Sequence, residues 1–175
     1  RALVEDNRAD GIIADGAGTS VEATEVVLRG TREQASDGVS GRGISVQRAA
    51  HLTLSRALVD DNRDDGLFVD GTGTSVEATD VVVRGTREQV SDGTRGRGIN
   101  VQDGAHFALS RALIEDNREY GLIIGGTGTS VETSDLTVLG TMPQAADGAG
   151  GAGLWVQMEA RVVVSRARIE ASHMV

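Results

Sequence analysis

The sequence predicts an all-β solenoid, a stack of β coils in place of one compact globule. Three observations carry that prediction. The run at 1–55 returns almost letter for letter at 56–110 and more loosely at 111–165, so the 175-residue chain holds three copies of one 55-residue unit. Self-similarity at a fixed period marks units that bury their cores against their neighbours. Hydrophobic residues make up 39% of the chain, aromatics only 2%, and 24 residues are Gly. The core must therefore come from Val, Ile, Leu and Ala, a branched palette suited to pleated surfaces, with Gly at the turns. Finally, the apolar residues alternate with period two in short runs bounded by turn residues, which is the pattern of strands and not of helices.

Taken in order, the first strand is Gly11-Ile12-Ile13-Ala14, ended by the turn Asp15-Gly16. A second strand covers 20–24 and a third Val26-Val27-Leu28, after which Thr31 opens a long loop over 31–42. The second half of the unit repeats the plan at 43–46, 51–55 and 57–59, closing at Asn62 without the long loop. Each unit is thus two unequal coils, 32 residues over 11–42 and 23 residues over 43–65. Three units predict about six rungs and a prism on the order of 30 Å tall at the inter-strand spacing. The units occupy 1–55, 56–110 and 111–165, and 166–170 starts a fourth copy. Residues 171–175, Ala-Ser-His-Met-Val, resemble a cloning-site remnant, and Arg1 falls inside a repeat, as expected of a piece of a longer chain.

The facing of each column follows from where charges are allowed among the copies. Ala2 and Val4 correspond to Val26 and Leu28, Ala57 and Val59, Leu136 and Val138, and Ala167 and Ile169, never to a charge, so they face inward. The column between them reads Leu3, Val27, Leu58 and Val82 but also Thr137 and Arg168, so it faces outward. By the same test the pairs Ile12/Ala14, Ile44/Val46, Leu67/Val69, Ile99/Val101, Leu122/Ile124 and Leu154/Val156 face the core. The outward column of that first strand reads Ile13, Ser45, Phe68, Asn100, Ile123 and Trp155.

The pattern Gly-Ile/Leu-x-Val, a turn, a Val/Leu-rich strand and then Val-x-x-Asn-x-x-x-Gly-Ile resembles the right-handed parallel β-helix repeat of pectate lyases, polygalacturonases and many bacterial surface proteins. The resemblance covers nearly the whole chain and implies a single-stranded, right-handed parallel β-helix of about six rungs. Asn7, Asn62 and Asn117, alternating with Thr31, Thr86 and Thr141, look like the turn ladder of that family. Asn suits left-handed turns, and its amide can bond to adjacent rungs. In relatives that act on polysaccharides, the face bearing Phe68 and Trp155 forms a binding groove. The resemblance therefore implies a tentative site of Phe68, Trp155 and Tyr120 for stacking, with Asn100, Gln47, Gln102, Asp37, Asp92, Arg42 and Arg97 as hydrogen-bonding groups. The alternative is that the loops at 31–42, 86–97 and 141–152 fold over this apolar column and cover it, as exposed apolar rows invite.

Catalysis is not expected. Asp60-Asp61 and Asp64-Asp65 occur without the remaining polygalacturonase signatures, and no nucleophile, base and orienting group converge. The same acids, with Glu5, Asp6, Asp10, Glu115, Asp116 and Glu119, offer oxygens for Ca²⁺, but Arg8, Arg63 and Arg118 sit among them and no known Ca²⁺ loop is matched. Neutralised surface turns account for them more simply. A net charge of −9 argues against nucleic acid as a partner. No apolar run approaches the roughly 20 residues that span a bilayer. All 17 basic residues are Arg and there is no Cys. The expected role is a non-catalytic structural or adhesive segment of a larger bacterial surface or secreted protein, meeting a polysaccharide or protein surface. The alternative is a carbohydrate-binding or polysaccharide-processing domain. Open strand edges at both ends predict end-to-end self-association.

Overall fold

A computed structural model describes residues 1–170; the tail at 171–175, with its reading as a cloning remnant, lies outside the described residues. The described residues contain no helix. The strands are β1 (Ala2–Glu5), β2 (Asp10–Asp15), β3 (Ser20–Thr24), β4 (Val26–Arg29), β5 (Arg42–Gln47), β6 (His51–Asp60) and β7 (Asp65–Asp70). They continue as β8 (Ser75–Arg84), β9 (Arg97–Gln102), β10 (His106–Glu115), β11 (Tyr120–Gly125), β12 (Ser130–Leu139), β13 (Ala152–Val156) and β14 (Arg161–Ile169). They form two parallel sheets, neither of them closed. The long-strand sheet has eight strands, ordered β1-β4-β6-β8-β10-β12-β14 with β3 beside β6, and the short-strand sheet has six, ordered β2-β5-β7-β9-β11-β13. Both sheets follow chain order, because the chain leaves one sheet only to enter the other.

The registers repeat with the 55-residue unit. His51 pairs with Ser75, His106 with Ser75 and with Ser130, and Ser130 with Arg161, so steps of 24 and 31 residues alternate along the long-strand sheet. A long step carries the loop and a short step omits it. Where the sequence pattern predicts two separate strands, the structure runs one ten-residue strand bent at its middle in β6, β8, β10 and β12. The bend is a single residue with positive φ: Glu25, Arg56, Asp80, Arg111, Asp135 and Arg166 have φ between 50° and 56°. Non-glycine residues are uncommon in that region, and here each turns the strand while pointing a charged side chain into solvent.

The core lies between the two sheets. Ile44, Leu52, Leu54, Leu67, Ile99, Phe107, Ile114, Leu122, Ile124 and Leu136 are fully buried, with Val46, Val69, Val101, Val76, Val83 and Val138 filling the columns between them. At about 1.5–3 kcal/mol for each fully buried aliphatic side chain, this stack is the main favourable term. The same columns open at the two ends: Val164 and Ile169, equivalents of the buried Leu109 and Ile114, are 38% and 45% exposed.

A glycine column lines the third edge, where the chain crosses from the long-strand to the short-strand sheet. A Cβ on Gly98 would lie 2.5 Å from the Gly121 carbonyl oxygen and 2.8 Å from Asn117 Nδ2. Glycine at that position lets the Asn/Thr column approach the sheet. There Asn62 Oδ1 accepts a hydrogen bond from the Thr31 amide and Asn117 Oδ1 one from the Thr86 amide, each at 3.0 Å. Thr31, Asn62, Thr86, Asn117 and Thr141 are buried and Asn7, at the open end, is half-buried.

Candidate functional site

The outer face of the short-strand sheet carries the tentative site. Three side-chain columns run up it, fixed by the register. Strand starts give Asp10, Arg42, Asp65, Arg97, Tyr120 and Ala152; strand middles give Ile13, Ser45, Phe68, Asn100, Ile123 and Trp155; strand ends give Asp15, Gln47, Asp70, Gln102 and Gly125.

The middle column is mostly covered. Ser45, Phe68, Asn100 and Ile123 are buried, whereas Ile13 and Trp155 at the two ends are exposed. The cover over Phe68 is the guanidinium of Arg42, 3.8 Å above its ring centroid, a cation–π contact. The long loops stack on one another: the Val90 amide donates to Glu33 Oε1 and the Ala145 amide to Glu88 Oε1, both at 2.9 Å and both bridging 57 residues. Asp37 and Asp92 close turns inside these loops, their Oδ1 atoms accepting the amides of Val39 and Thr94 at 3.1 and 2.9 Å.

A sealed charge cluster sits beside Phe68. Asp64 and Asp65 have no exposed surface, and Asp10 is half-buried beside them. Arg95 Nη1 donates to Asp64 Oδ1 at 2.9 Å, Arg42 Nε lies 3.3 Å from Asp64 and 3.6 Å from Asp65, and Arg97 Nε donates to Glu119 at 2.6 Å. Both Asp65 oxygens lack a hydrogen-bond partner. Burial, reinforced by Asp64 and opposed by Arg97, Arg42 and Arg95, pushes the Asp65 carboxyl up to about 7. Burial also raises Asp10, against the pull of Arg42. The sequence reading of Asp64 and Asp65 as solvated turn acids is therefore corrected: three arginines converge on them and bury them. Two further turn acids are paired with arginines, Asp60 with Arg84 at 3.1 Å and Asp61 between Arg32 and Arg87 at 3.0 Å each.

One part of the face stays open. Trp155 is 45% exposed and stacks on Tyr120 with ring centroids 5.5 Å apart, and its Nε1 donates to Gln157 Oε1 at 3.1 Å. Burial and the adjacent Glu119 raise the Tyr120 hydroxyl above its ordinary range, keeping it a neutral donor. Alongside lies a pocket of about 250 Å³ lined by Arg97, Asn100, Gln102, Ile123, Gln157 and Met158, among others. Its volume falls below the usual 300–1,000 Å³ of small-molecule sites. Of the tentative residues, the structure thus brings together Arg97, Asn100, Gln102, Tyr120 and Trp155 in one region. Phe68 and Arg42 cover each other, Gln47 donates to Ser45 at 2.5 Å, and Asp37 and Asp92 stand apart in the loops.

The sequence reading missed the charge ladders. The bend residues Glu25, Arg56, Asp80, Arg111, Asp135 and Arg166 alternate in sign and pair at 3.3, 2.6 and 2.5 Å. A second ladder runs Glu5, Arg29, Asp60, Arg84 and Glu115. The alternation is visible in the aligned copies once columns are read for charge as well as for hydrophobicity.

No protein-family model matches the chain, and neither a curated protein nor a solved structure shows significant similarity to it. Function must be argued from the geometry alone.

Proposed function

We propose that the chain is a non-catalytic structural or adhesive segment of a larger bacterial surface or secreted protein, wound as a single-stranded, right-handed parallel β-helix. The winding is supported by two parallel sheets ordered along the chain and by the registers that repeat with the unit. The right hand is the rule for parallel crossover connections. One observation supports the role: the acids Asp60, Asp61, Asp64, Asp80 and Asp135 at the turns and bends are each paired with an arginine of a neighbouring rung. Such pairs favour one rung register and hold these carboxylates away from acid–base work. The test is turnover of acidic and neutral polysaccharides by the intact chain. No product is expected; product formation that disappears in Asp65→Asn would overturn the proposal.

A second reading, carbohydrate binding, is favoured by the exposed Tyr120–Trp155 stack beside Arg97, Asn100 and Gln102. Aromatic faces stack on sugar rings, and the pocket has room for one sugar unit of a chain. Trp155 is the sole tryptophan, so its fluorescence reports this site directly. Saturable quenching by an oligosaccharide, lost in Arg97→Ala, would establish this reading; unchanged fluorescence with every oligosaccharide would remove it.

A further inference from the structure

We propose that the outer face of the long-strand sheet beyond the bend, over 25–29, 56–60, 80–84 and 111–115, is a docking surface for the same face of a second copy of this chain, the two lying side by side. The inference rests on the strand registers and not on the role proposed above, which polysaccharide turnover decides separately.

Strand alternation turns the bend residue and the residues two and four positions on toward solvent. The middle position is apolar on four successive strands, Val27, Leu58, Val82 and Leu113, which register places in one column and which are half-buried. Its flanks are opposite in sign on every strand. Arg56 and Asp60 flank Leu58 on β6, and Arg111 and Glu115 repeat that order on β10. Asp80 and Arg84 reverse it on β8, as Glu25 and Arg29 do on β4. All four strands are interior, each with a paired neighbour on both sides, so the face does not depend on what lies beyond either end of the stack.

An apolar row rimmed by charge has the make-up of a protein–protein contact, and the arrangement of the charges selects the partner. Signs alternate along each flank as well as across each strand, so a uniformly acidic or basic partner meets as many like charges as opposite ones. A surface that matches at every position must alternate at the same rung spacing of about 4.8 Å, and this face itself does so.

Two-fold symmetry brings the face onto itself in two ways. With the axis along the stack, Arg56 meets Asp60 of the second copy and Asp80 meets Arg84 of the second copy. With the axis across the stack, Arg56 meets Asp80 of the second copy, Asp60 meets Arg84 of the second copy, and Leu58 packs on Val82 of the second copy. In either arrangement a slip of one rung sets like charge against like, so the face specifies its own register.

The charges remain available for such a contact. Arg56 pairs with Glu25 at 3.3 Å, Arg111 with Asp80 at 2.6 Å and Arg84 with Asp60 at 3.1 Å, yet the first two arginine side chains are 57% exposed and the third 44%. Each can take a second carboxylate from across an interface. Five residues of strand span about 16 Å and four rungs about 19 Å, so each copy covers on the order of 300 Å², in the class of weak, reversible contacts.

The test is sedimentation velocity at low salt on wild type, on Arg56→Glu, Asp60→Arg, Asp80→Arg and Leu58→Thr, and on two equimolar mixtures. Wild type is expected to show a reversible dimer growing in as concentration rises toward about 1 mM, the affinity range of weak interfaces. Each charge variant sets like charges face to face in both arrangements and should dimerise roughly three- to tenfold more weakly. Mixing Arg56→Glu with Asp60→Arg restores opposite charges if the axis runs along the stack, and mixing it with Asp80→Arg does so if the axis runs across. One of the two mixtures should therefore recover wild-type dimerisation, which a loss of folding in either variant would not allow. Leu58→Thr keeps every charge and places in the apolar column a residue that already stands there as Thr137; it should also weaken the dimer. A wild type monomeric throughout, mixtures that both stay as weak as their components, or a dimer undiminished by Leu58→Thr would each overturn the proposal.

Discussion

Replacing Asp65 by Asn tests the sealed charge cluster by removing a titration while keeping the shape. Counting Asp65, the cluster sets four carboxylates, Asp10, Asp64, Asp65 and Glu119, against three guanidiniums, Arg42, Arg95 and Arg97. It balances when Asp65 is neutral. With its carboxyl raised from 3.8 to about 7, the folded state holds this proton more tightly than the unfolded chain does. Unfolding then releases a proton between those values, so stability falls as pH rises from about 4 to about 7 and is level above that. A shift of roughly 3 units at about 1.4 kcal/mol each sets an upper bound near 4 kcal/mol. The amide cannot ionise, so Asp65→Asn should match wild type near pH 4 and exceed it above about pH 7, by up to that amount. Asp10, also raised by burial, titrates in both proteins and cancels in the difference. The carboxylates held low, Asp15 by Arg48, Asp80 by Arg111, Asp92 by the Thr94 amide and hydroxyl, and Asp135 by Arg166, lose their contribution only as pH falls below about 4, outside this window. Urea unfolding followed by circular dichroism across this range measures the difference. Parallel pH profiles for the two proteins, or a variant less stable than wild type in mild alkali, would refute the reasoning.

Gly98→Ala should destabilise by about 3 kcal/mol, since its Cβ has a backbone carbonyl at 2.5 Å that cannot yield; thermal unfolding reads it, and Gly16→Ala, where nothing lies within 4 Å, separates this crowding from backbone strain. Asn117→Ala leaves the buried Thr86 amide and Val83 carbonyl without their side-chain partner and should cost about 1–3 kcal/mol in the same assay. Phe107→Ala empties the largest fully buried side chain and should cost about 3–5 kcal/mol, with amide exchange accelerating in β8, β10 and β12 ahead of β2.

The inward columns were legible because three copies act as an internal comparison: a position holding Leu, Val, Ile or Ala in every copy, such as 44, 99 and 154, faces the core wherever neighbours cover both sides. The long-loop and short-loop alternation was legible from the spacing of Gly11, Gly43 and Gly66. The bend was not, because Asp80 and Asp135 are of a type enriched at positive φ but Glu25, Arg56, Arg111 and Arg166 in the same column are not; a left-handed Arg becomes predictable only once the crossing geometry is known. Burial of Asp64 and Asp65 was hidden for a related reason. Local sequence shows two acids after Arg63, while Arg42, Arg95 and Arg97, which make their burial tolerable, arrive from 22 to 33 residues away. The covering of Phe68 also depends on one distant side chain, Arg42, reaching across a rung.

The alternating charge columns also set a parity on the chain. Along the bend edge, and along the Glu5–Arg29 edge as far as Glu115, which faces Leu139, an acid is followed by an arginine and an arginine by an acid. A deletion of one coil, such as 43–65, would put Glu25 against Asp80 on one edge and Arg29 against Arg84 on the other, and would move Glu33 out of step with the Val90 amide it holds two rungs away. A deletion of two coils restores every pairing. A gene encoding such an array can therefore lengthen or shorten without penalty only in whole 55-residue steps, so the duplicated unit is set by electrostatics as much as by the core.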